Sequence, residues 1–343
     1  MVAFKSEFSS ISFLGVLCGD AILIRFFGND KKYHNFLIDG GFVKTYKPTL
    51  KPALVKIKES GEKVDLVIGT HYDGDHIGGI LAFINDNSFS PDDFVDKWMI
   101  NFDLPLVDSA GTVSVQQLMT LKNKLSGSPR RFNEPILFSL SPYEFYGLSL
   151  TVLSPDAERY QAAQIEIERR SSLVASAGND YQITIEEFST IVMNESLEDA
   201  SPANGSSIAF LLKAEDYSCL LLADAFPSVI CKSIRSLEWD ENRPLEVDSI
   251  KLSHHGSRGN ISNELLAITK TLNYVISGNA VNTHNLPNKE TIARILINGT
   301  RRKGECFNFY FTHRNNTLEN MFSVDGESVF ERYNFKIHFP ESD

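Results

Sequence analysis

The stretch Thr70-His71-Tyr72-Asp73-Gly74-Asp75-His76-Ile77-Gly78-Gly79 sets four metal-capable side chains within six residues. It follows an apolar run, Val64 to Gly69, that reads as a buried strand, and it precedes Ile77 to Ile84, which reads as a short helix. The chain is therefore expected to carry a strand-to-helix turn here. In such a turn His71 and Asp73 point one way, while Asp75 and His76 open the helix and point to a neighbouring position, so two adjacent cations come within reach. Gly78 and Gly79 remove side chains where the helix must approach the strand. The bland alternative is a solvated acidic loop with incidental histidines, and so many ligand types at fixed spacing argue against it.

The bulk properties narrow the class. A chain of 343 residues with 42% apolar composition supports one large α/β domain or two smaller ones. A formal charge of −11 argues against a surface that grips nucleic acid everywhere, while leaving room for a local basic groove. Cys18, Cys219, Cys231 and Cys306 show no C-x-x-C spacing, so neither a zinc knuckle nor a disulfide framework is expected, and a reducing cytoplasm fits best. The apolar stretch Ile11 to Phe27 carries Asp20 and Arg25 and is split by Gly15 and Gly19; it is too short and too charged to span a membrane.

In chain order, strands are expected at 11–16, 21–27 and 35–38, a helix at 48–60, a strand at 97–102, a helix at 113–125 and a strand at 148–153. Asp39 either braces a motif histidine or caps its own turn. Residues 156–203 change in composition. They read as a helical insertion, with helix at Ile165 to Arg170 and a capping box at Thr184 to Glu187, and serve either as a lid or as a surface excursion. Further strands are expected at 206–212, 218–223, 248–253 and 274–277, a helix at 263–271, and strand-like runs at 307–312 and 330–339. His34, His313 and His338 read as structural.

The string His71-x-Asp73-x-Asp75-His76-x-Gly78-Gly79 resembles the first motif of the metallo-β-lactamase fold superfamily, whose commoner form has His where Asp73 stands. The Asp form looks like the soluble hydrolase domain of ComEC-type DNA-uptake proteins. Residues 13–24 followed by Leu37-Ile38-Asp39-Gly40-Gly41 resemble that family's opening, with departures at Gly15, Leu17 and Cys18, where the family usually has Asp, Gly and Gln. Residues 206–212 and 219–225 resemble a segment ending in Gly-Asp-Ala, with Ala223 in place of Gly. Lys251-Leu-Ser-His-His-Gly-Ser257 matches the family's Lys-x-x-His-His-Gly-Ser, and His284 stands ahead of Pro287 where the family shows Gly-His-Pro.

The resemblance implies a metallo-β-lactamase-like four-layer αββα sandwich of the α/β class, with 1–155 as its first half, 156–203 inserted, and 204–343 as the second half with a C-terminal extension. It implies one half-site from His71 and Asp73, another from Asp75, His76 and His254, and Asp224 bridging two divalent ions. Adjacent side chains after a strand diverge, so one of His254 and His255 is expected as ligand. We favour His254, with His255 bracing the site or touching substrate. Asn204 occupies the place of the superfamily's third histidine and would bind a metal-held water or a substrate phosphate.

This donor set is richer in oxygen than that of a zinc β-lactamase. Mn²⁺ or Zn²⁺ is expected, with Mg²⁺ a further candidate. The expected reaction is phosphodiester cleavage by a metal-held hydroxide oriented by Asp75, with His284 and Ser257 stabilising developing charge. Nucleic acid is the expected substrate, and Lys251, Arg258 and the Arg301-Arg302-Lys303 cluster are candidates to line its path. Two alternatives stand beside it: hydrolysis of a small ester, lactone or cyclic nucleotide, and a non-catalytic metal-stabilised scaffold that binds a protein partner through residues 156–203.

Overall fold

The computed structural model describes residues 1–101, 113–167, 179–281 and 285–341. The first part of the chain supplies β1 (Val2–Lys5), β2 (Ser9–Phe13), β3 (Ile22–Phe27), β4 (Tyr33–Ile38), β5 (Leu66–Gly69) and β6 (Trp98–Ile100), which form one sheet in that spatial order. β1 to β4 run antiparallel, and β4, β5 and β6 run parallel. The second part supplies β7 (Tyr143–Phe145), β8 (Leu148–Ser154), β9 (Ala209–Lys213), β10 (Ser218–Leu221), β11 (Leu245–Glu246), β12 (Ser249–Lys251), β13 (Thr269–Lys270), β14 (Asn273–Ile276), β15 (Phe307–Phe311) and β16 (Phe335–His338). β11 and β13 pair with each other, and the rest form a sheet ordered β16-β15-β14-β12-β10-β9-β8-β7.

Strand periodicity dictates how these sheets stack. In β3, Ile22, Ile24 and Phe26 are buried while the residues between them are not fully covered, and in β4 Phe36 and Ile38 point opposite to Leu37. Ile22, Ile24, Phe36, Ile38, Leu66 and Ile68 of the first sheet pack on Leu150, Val152, Phe210, Leu212 and Leu221 of the second. Leu37 and Val67 on the opposite face meet Leu54, Ile77, Ile80, Phe83 and Leu121 from helices Lys51–Glu59, Gly74–Ile84 and Val113–Leu125. The outer face of the second sheet, through Leu211, Leu220 and Ile250, meets Ile230, Ile234, Leu265 and Ile292 from helices Pro227–Ser236, Asn263–Ile268 and Lys289–Asn298. Three cores between four layers give the αββα sandwich. Each fully buried large side chain contributes roughly 1.5–3 kcal/mol.

Several elements depart from the sequence reading. The expected strand at 11–16 stops at Phe13, and the loop that follows turns at Leu17, which takes a left-handed conformation (φ 71°). The run 330–339 is not one strand: Ser328–Arg332 is helical, Asn334 turns the chain at φ 46°, and only Phe335–His338 joins the sheet. Hence β15 and β16 belong to the second sheet. Within 156–203, Ala157–Ile167 is helical, and Thr184 and Glu187 form the capping box that starts helix Ile185–Ile191. The remainder of the expected helix at 165–170 lies outside the described residues. Tyr181, Ile185, Phe188 and Val192 pack into the outer core of the second sheet.

Candidate functional site

The motif loops leave the C-terminal ends of parallel strands: Asp39 after β4, residues 70–76 after β5, Asp224 after β10, His254 and His255 after β12, and Ser277 after β14. The crevice beyond such strand ends is where α/β sheets place ligands. Helix Gly74–Ile84 lies tight against the 39–42 turn. A Cβ on Gly79 would sit 1.9 Å from the Gly40 carbonyl oxygen, and the Gly79 amide donates to Gly41 at 2.7 Å. That close approach brings the helix's first turn, with Asp75 and His76, up to Asp39.

Every motif imidazole is held from behind at Nδ1. His76 Nδ1 donates to Asp39 Oδ2 at 2.8 Å, and Asp39 also accepts from the Thr70 amide (2.8 Å) and the Thr70 hydroxyl (2.7 Å). Because the Thr70 hydroxyl donates to Asp39, its oxygen accepts from His71 Nδ1 at 3.2 Å. His255 Nδ1 donates to Ser277 Oγ at 3.0 Å, and Ser277 in turn donates to Asp20 at 2.6 Å, where Lys251 pairs with the other carboxylate oxygen. His254 Nδ1 donates to Asn260 Oδ1 at 3.0 Å and lies 3.2 Å from Asp199 Oδ2. With Nδ1 donating to its holder in each ring, Nε2 faces the centre and is the atom that would exchange a proton for a cation.

The centre is Asp224. Its Oδ1 lies 3.5 Å from His76 Nε2, and its Oδ2 lies 3.7 Å from His71 Nε2, 3.8 Å from His254 Nε2 and 3.9 Å from His255 Nε2. Asp75 Oδ2 is 3.3 Å from His255 Nε2 and 3.9 Å from His76 Nε2, and Asp73 Oδ2 is 3.7 Å from His71 Nε2. Ligand atoms of His71, His76 and Asp224, and those of Asp75, His76 and His255, lie within 4.8 Å of one another. Nε2 of His71, His76 and His255 and Oδ1 of Asp224 are buried without a hydrogen-bond partner. Buried polar atoms are normally satisfied, at a penalty of about 1–3 kcal/mol each when they are not. Four such atoms converging on one space fit a bound cation.

The charges are tuned to match. Burial opposes ionisation of Asp75, yet His76 and His255 hold its pKa at about 2. Burial likewise opposes Asp224, and His76 and His254 win, holding it well below the ordinary carboxylate range. Burial would depress His76 and His254, but Asp224 and the neighbouring carboxylates raise both, His254 to about 9. Burial, reinforced by Asp75 and Asp224, pushes the Cys18 thiol well above its usual value, so this residue of the 14–20 loop faces the site as a neutral thiol.

The expectation that His254 and His255 diverge is corrected. Both adopt left-handed backbone (φ 46° and 55°), and this consecutive twist turns both Nε2 atoms toward Asp224. His255, buried and grouped with Asp75 and His76, takes the place expected of His254. Lys251 is fully buried in its pair with Asp20 and cannot line a nucleic-acid path; Arg258 pairs with Glu290 at 3.1 Å, and Arg301 donates to the Tyr333 and Asn334 carbonyls. Asn204 donates to Asp199 Oδ2 at 2.7 Å, and Ser257 Oγ accepts from the Gly259 amide at 3.3 Å. His284 lies outside the described residues. Asp199, Asn260 and Ser277 were missed by sequence reasoning. Asp199 and Ser277 act through contacts distant in the chain, and Asn260, six residues after His254, belongs to no recognised motif.

Residues 15–114 match the family model described as the metallo-beta-lactamase superfamily. The αββα arrangement is consistent with the metallo-beta-lactamase fold, and the superfamily consists mostly of hydrolytic metalloenzymes. Solved structures similar to this chain include the metallo-beta-lactamase from Pontibacter korlensis, 18% identical with a TM-score of 0.25, covering 44% of this chain and 59% of that one. The metallo-beta-lactamase from Hirschia baltica is 13% identical with a TM-score of 0.25 and the same coverage. The HARLDQ-motif enzyme from Cronobacter sakazakii is 10% identical with a TM-score of 0.31, covering 74% of this chain and 79% of that one. The chain thus spans 59% of the length of the first two structures. No curated protein matches it. Among the described residues, no helix is long and apolar enough to cross a membrane.

Proposed function

We propose that this metallo-beta-lactamase domain is a metal-dependent hydrolase of phosphodiesters, working through two divalent ions bridged by Asp224. The observation that carries the reading is the convergence of Nε2 atoms from His71, His76 and His255 on Asp224, each ring fixed from its far side. His71, Asp73 and Asp224 would hold one ion; Asp75, His76, His255 and Asp224 would hold the other. When bound, such a pair supplies an activated water and polarises a phosphoryl oxygen. The chain's own part is to fix that geometry: Asp39 and Asp20 stop the imidazoles from rotating, and Asp75, ionised at neutral pH, would orient the attacking water.

Phosphodiesters are preferred over β-lactams because three carboxylates join the imidazoles, a donor set suited to Mn²⁺ as well as Zn²⁺, and because the motif resembles the ComEC-type hydrolase domain. Cytoplasmic nuclease activity is the specific form of this reading. One observation favours a smaller substrate such as a cyclic nucleotide. Lys251, Arg258 and Arg301 are committed to internal partners, and the chain carries a formal charge of −11.

The test is a panel assay with Mn²⁺ or Zn²⁺ on a labelled single strand, cyclic nucleotides and small esters, with Asp75→Ala and His76→Ala as controls. Phosphodiester cleavage that falls to background in both variants is expected. Turnover of esters or lactones with every phosphodiester untouched would overturn the reading.

A further inference from the structure

Helix Ala157–Ile167 begins at the rim of the site. It packs against the Pro202–Gly205 turn, and Tyr160 in its first turn lines a recess together with Thr70, His71, Tyr72 and Ser206. One residue earlier stands Arg159. Its Cδ lies 3.5 Å from where a Cβ on Gly205 would sit, and its guanidinium carbon lies 5.1 Å from the centre of the Phe226 ring. Both neighbours abut the ion site. Phe226 follows Asp224 by two residues, and Gly205 follows Asn204, whose amide nitrogen is 3.3 Å from His254 Nδ1.

Arg159 differs from other cations near the site in being uncommitted. Lys251 is locked to Asp20, and Arg258 to Glu290. Asp156, three residues before Arg159, accepts from the Arg159 backbone amide at 3.0 Å and from Lys232 at 3.4 Å, not from the guanidinium. Among the described residues the guanidinium has no carboxylate or hydrogen-bond partner, so its N–H donors are open. Half-buried over an aromatic face, it is held by its stem and by cation–π attraction. Gly205 admits it: a side chain there would meet the Phe226 ring at 3.0 Å and close on the Arg159 stem. A planar fork so placed matches the paired oxygens of a phosphate.

We infer that Arg159 determines specificity by gripping a phosphate of the substrate from beside the ion pair, whether that phosphate belongs to a nucleic-acid strand or to a cyclic nucleotide. This rests on the phosphodiester reading above. Mn²⁺-loaded protein is titrated with labelled phosphorothioate forms of an oligothymidylate and of a cyclic nucleotide, which resist cleavage. KM and kcat are measured on the phosphate forms. Arg159→Gln keeps the stem that covers Phe226 and removes the fork; Arg159→Lys keeps the charge alone. Lys232→Gln removes an equal charge from the residue that pairs with Asp156.

Arg159→Gln is expected to weaken binding by about 10–100-fold, the range for a lost charge-assisted pair, and to raise KM by a similar factor with kcat little changed. Arg159→Lys should recover part of that loss, and Lys232→Gln should stay within about twofold of wild type. The arm that responds identifies the source of the phosphate. On the strand, the slope of log affinity against log salt should flatten by about 0.7, one phosphate contact, which a merely structural role would not move. Wild-type affinity and KM in Arg159→Gln, beside wild-type cleavage, would overturn the inference and leave the phosphodiester reading standing. An equal loss in Lys232→Gln would also overturn it, as the mark of general attraction. A wild type that neither binds nor cleaves either phosphodiester would overturn both.

Discussion

Asp39 shows how much one side chain does in this molecule. It sits at φ 56°, a left-handed conformation that costs an L residue about 1–2 kcal/mol, and it accepts three hydrogen bonds from Thr70 and His76. Asp39→Asn keeps the shape and removes the charge that fixes the His76 proton on Nδ1. Metal affinity is expected to fall by about 10–100-fold with the fold intact, measured by calorimetry beside circular dichroism; unchanged affinity would show that Asp39 only caps its turn. Ala223, His254 and His255 also take positive φ beside the site. The sequence discloses their residue types but not this backbone twist, and the twist decides where two adjacent histidines point. Ala223 and Leu17 stand where the resembled family carries glycine, and both have positive φ, so the departures were visible while their strain was not.

Among elements, the 14–20 loop depends on a distant partner. His313, following β15, accepts from the Leu17 amide at 2.9 Å, which requires a neutral ring, and burial holds its pKa at about 4. An unfolded histidine titrates near about 6.5. Between those values the unfolded chain binds more protons, so this group's stabilisation is complete above about pH 6.5 and is lost as pH falls toward 4. Urea midpoints measured at pH 7.5 and pH 5 should therefore fall further in wild type than in His313→Asn; parallel falls would contradict the account. Elements with strong local signals were legible, including helix Gly74–Ile84, helix Val113–Leu125 and the capping box at Thr184. The Asp20–Ser277 bond joins residues 257 apart in sequence, and no local pattern announces it.

On the scale of the whole molecule, two sheets contribute to one site: the first brings Asp39, His71 and the Asp75-His76 turn, and the second brings Asp224, His254, His255 and Ser277. The hydrophobic alternation of the strands made a layered α/β fold legible. It could not show that 179–192 would pack into the second sheet's outer core and deliver Asp199 to the site. The central claim is that this meeting of sheets holds two ions astride Asp224. Anomalous diffraction from Mn²⁺-loaded crystals tests it most directly. The account predicts two peaks roughly 3.5–4 Å apart on either side of the Asp224 carboxylate; a single peak, or ions bound away from Asp224, would contradict it.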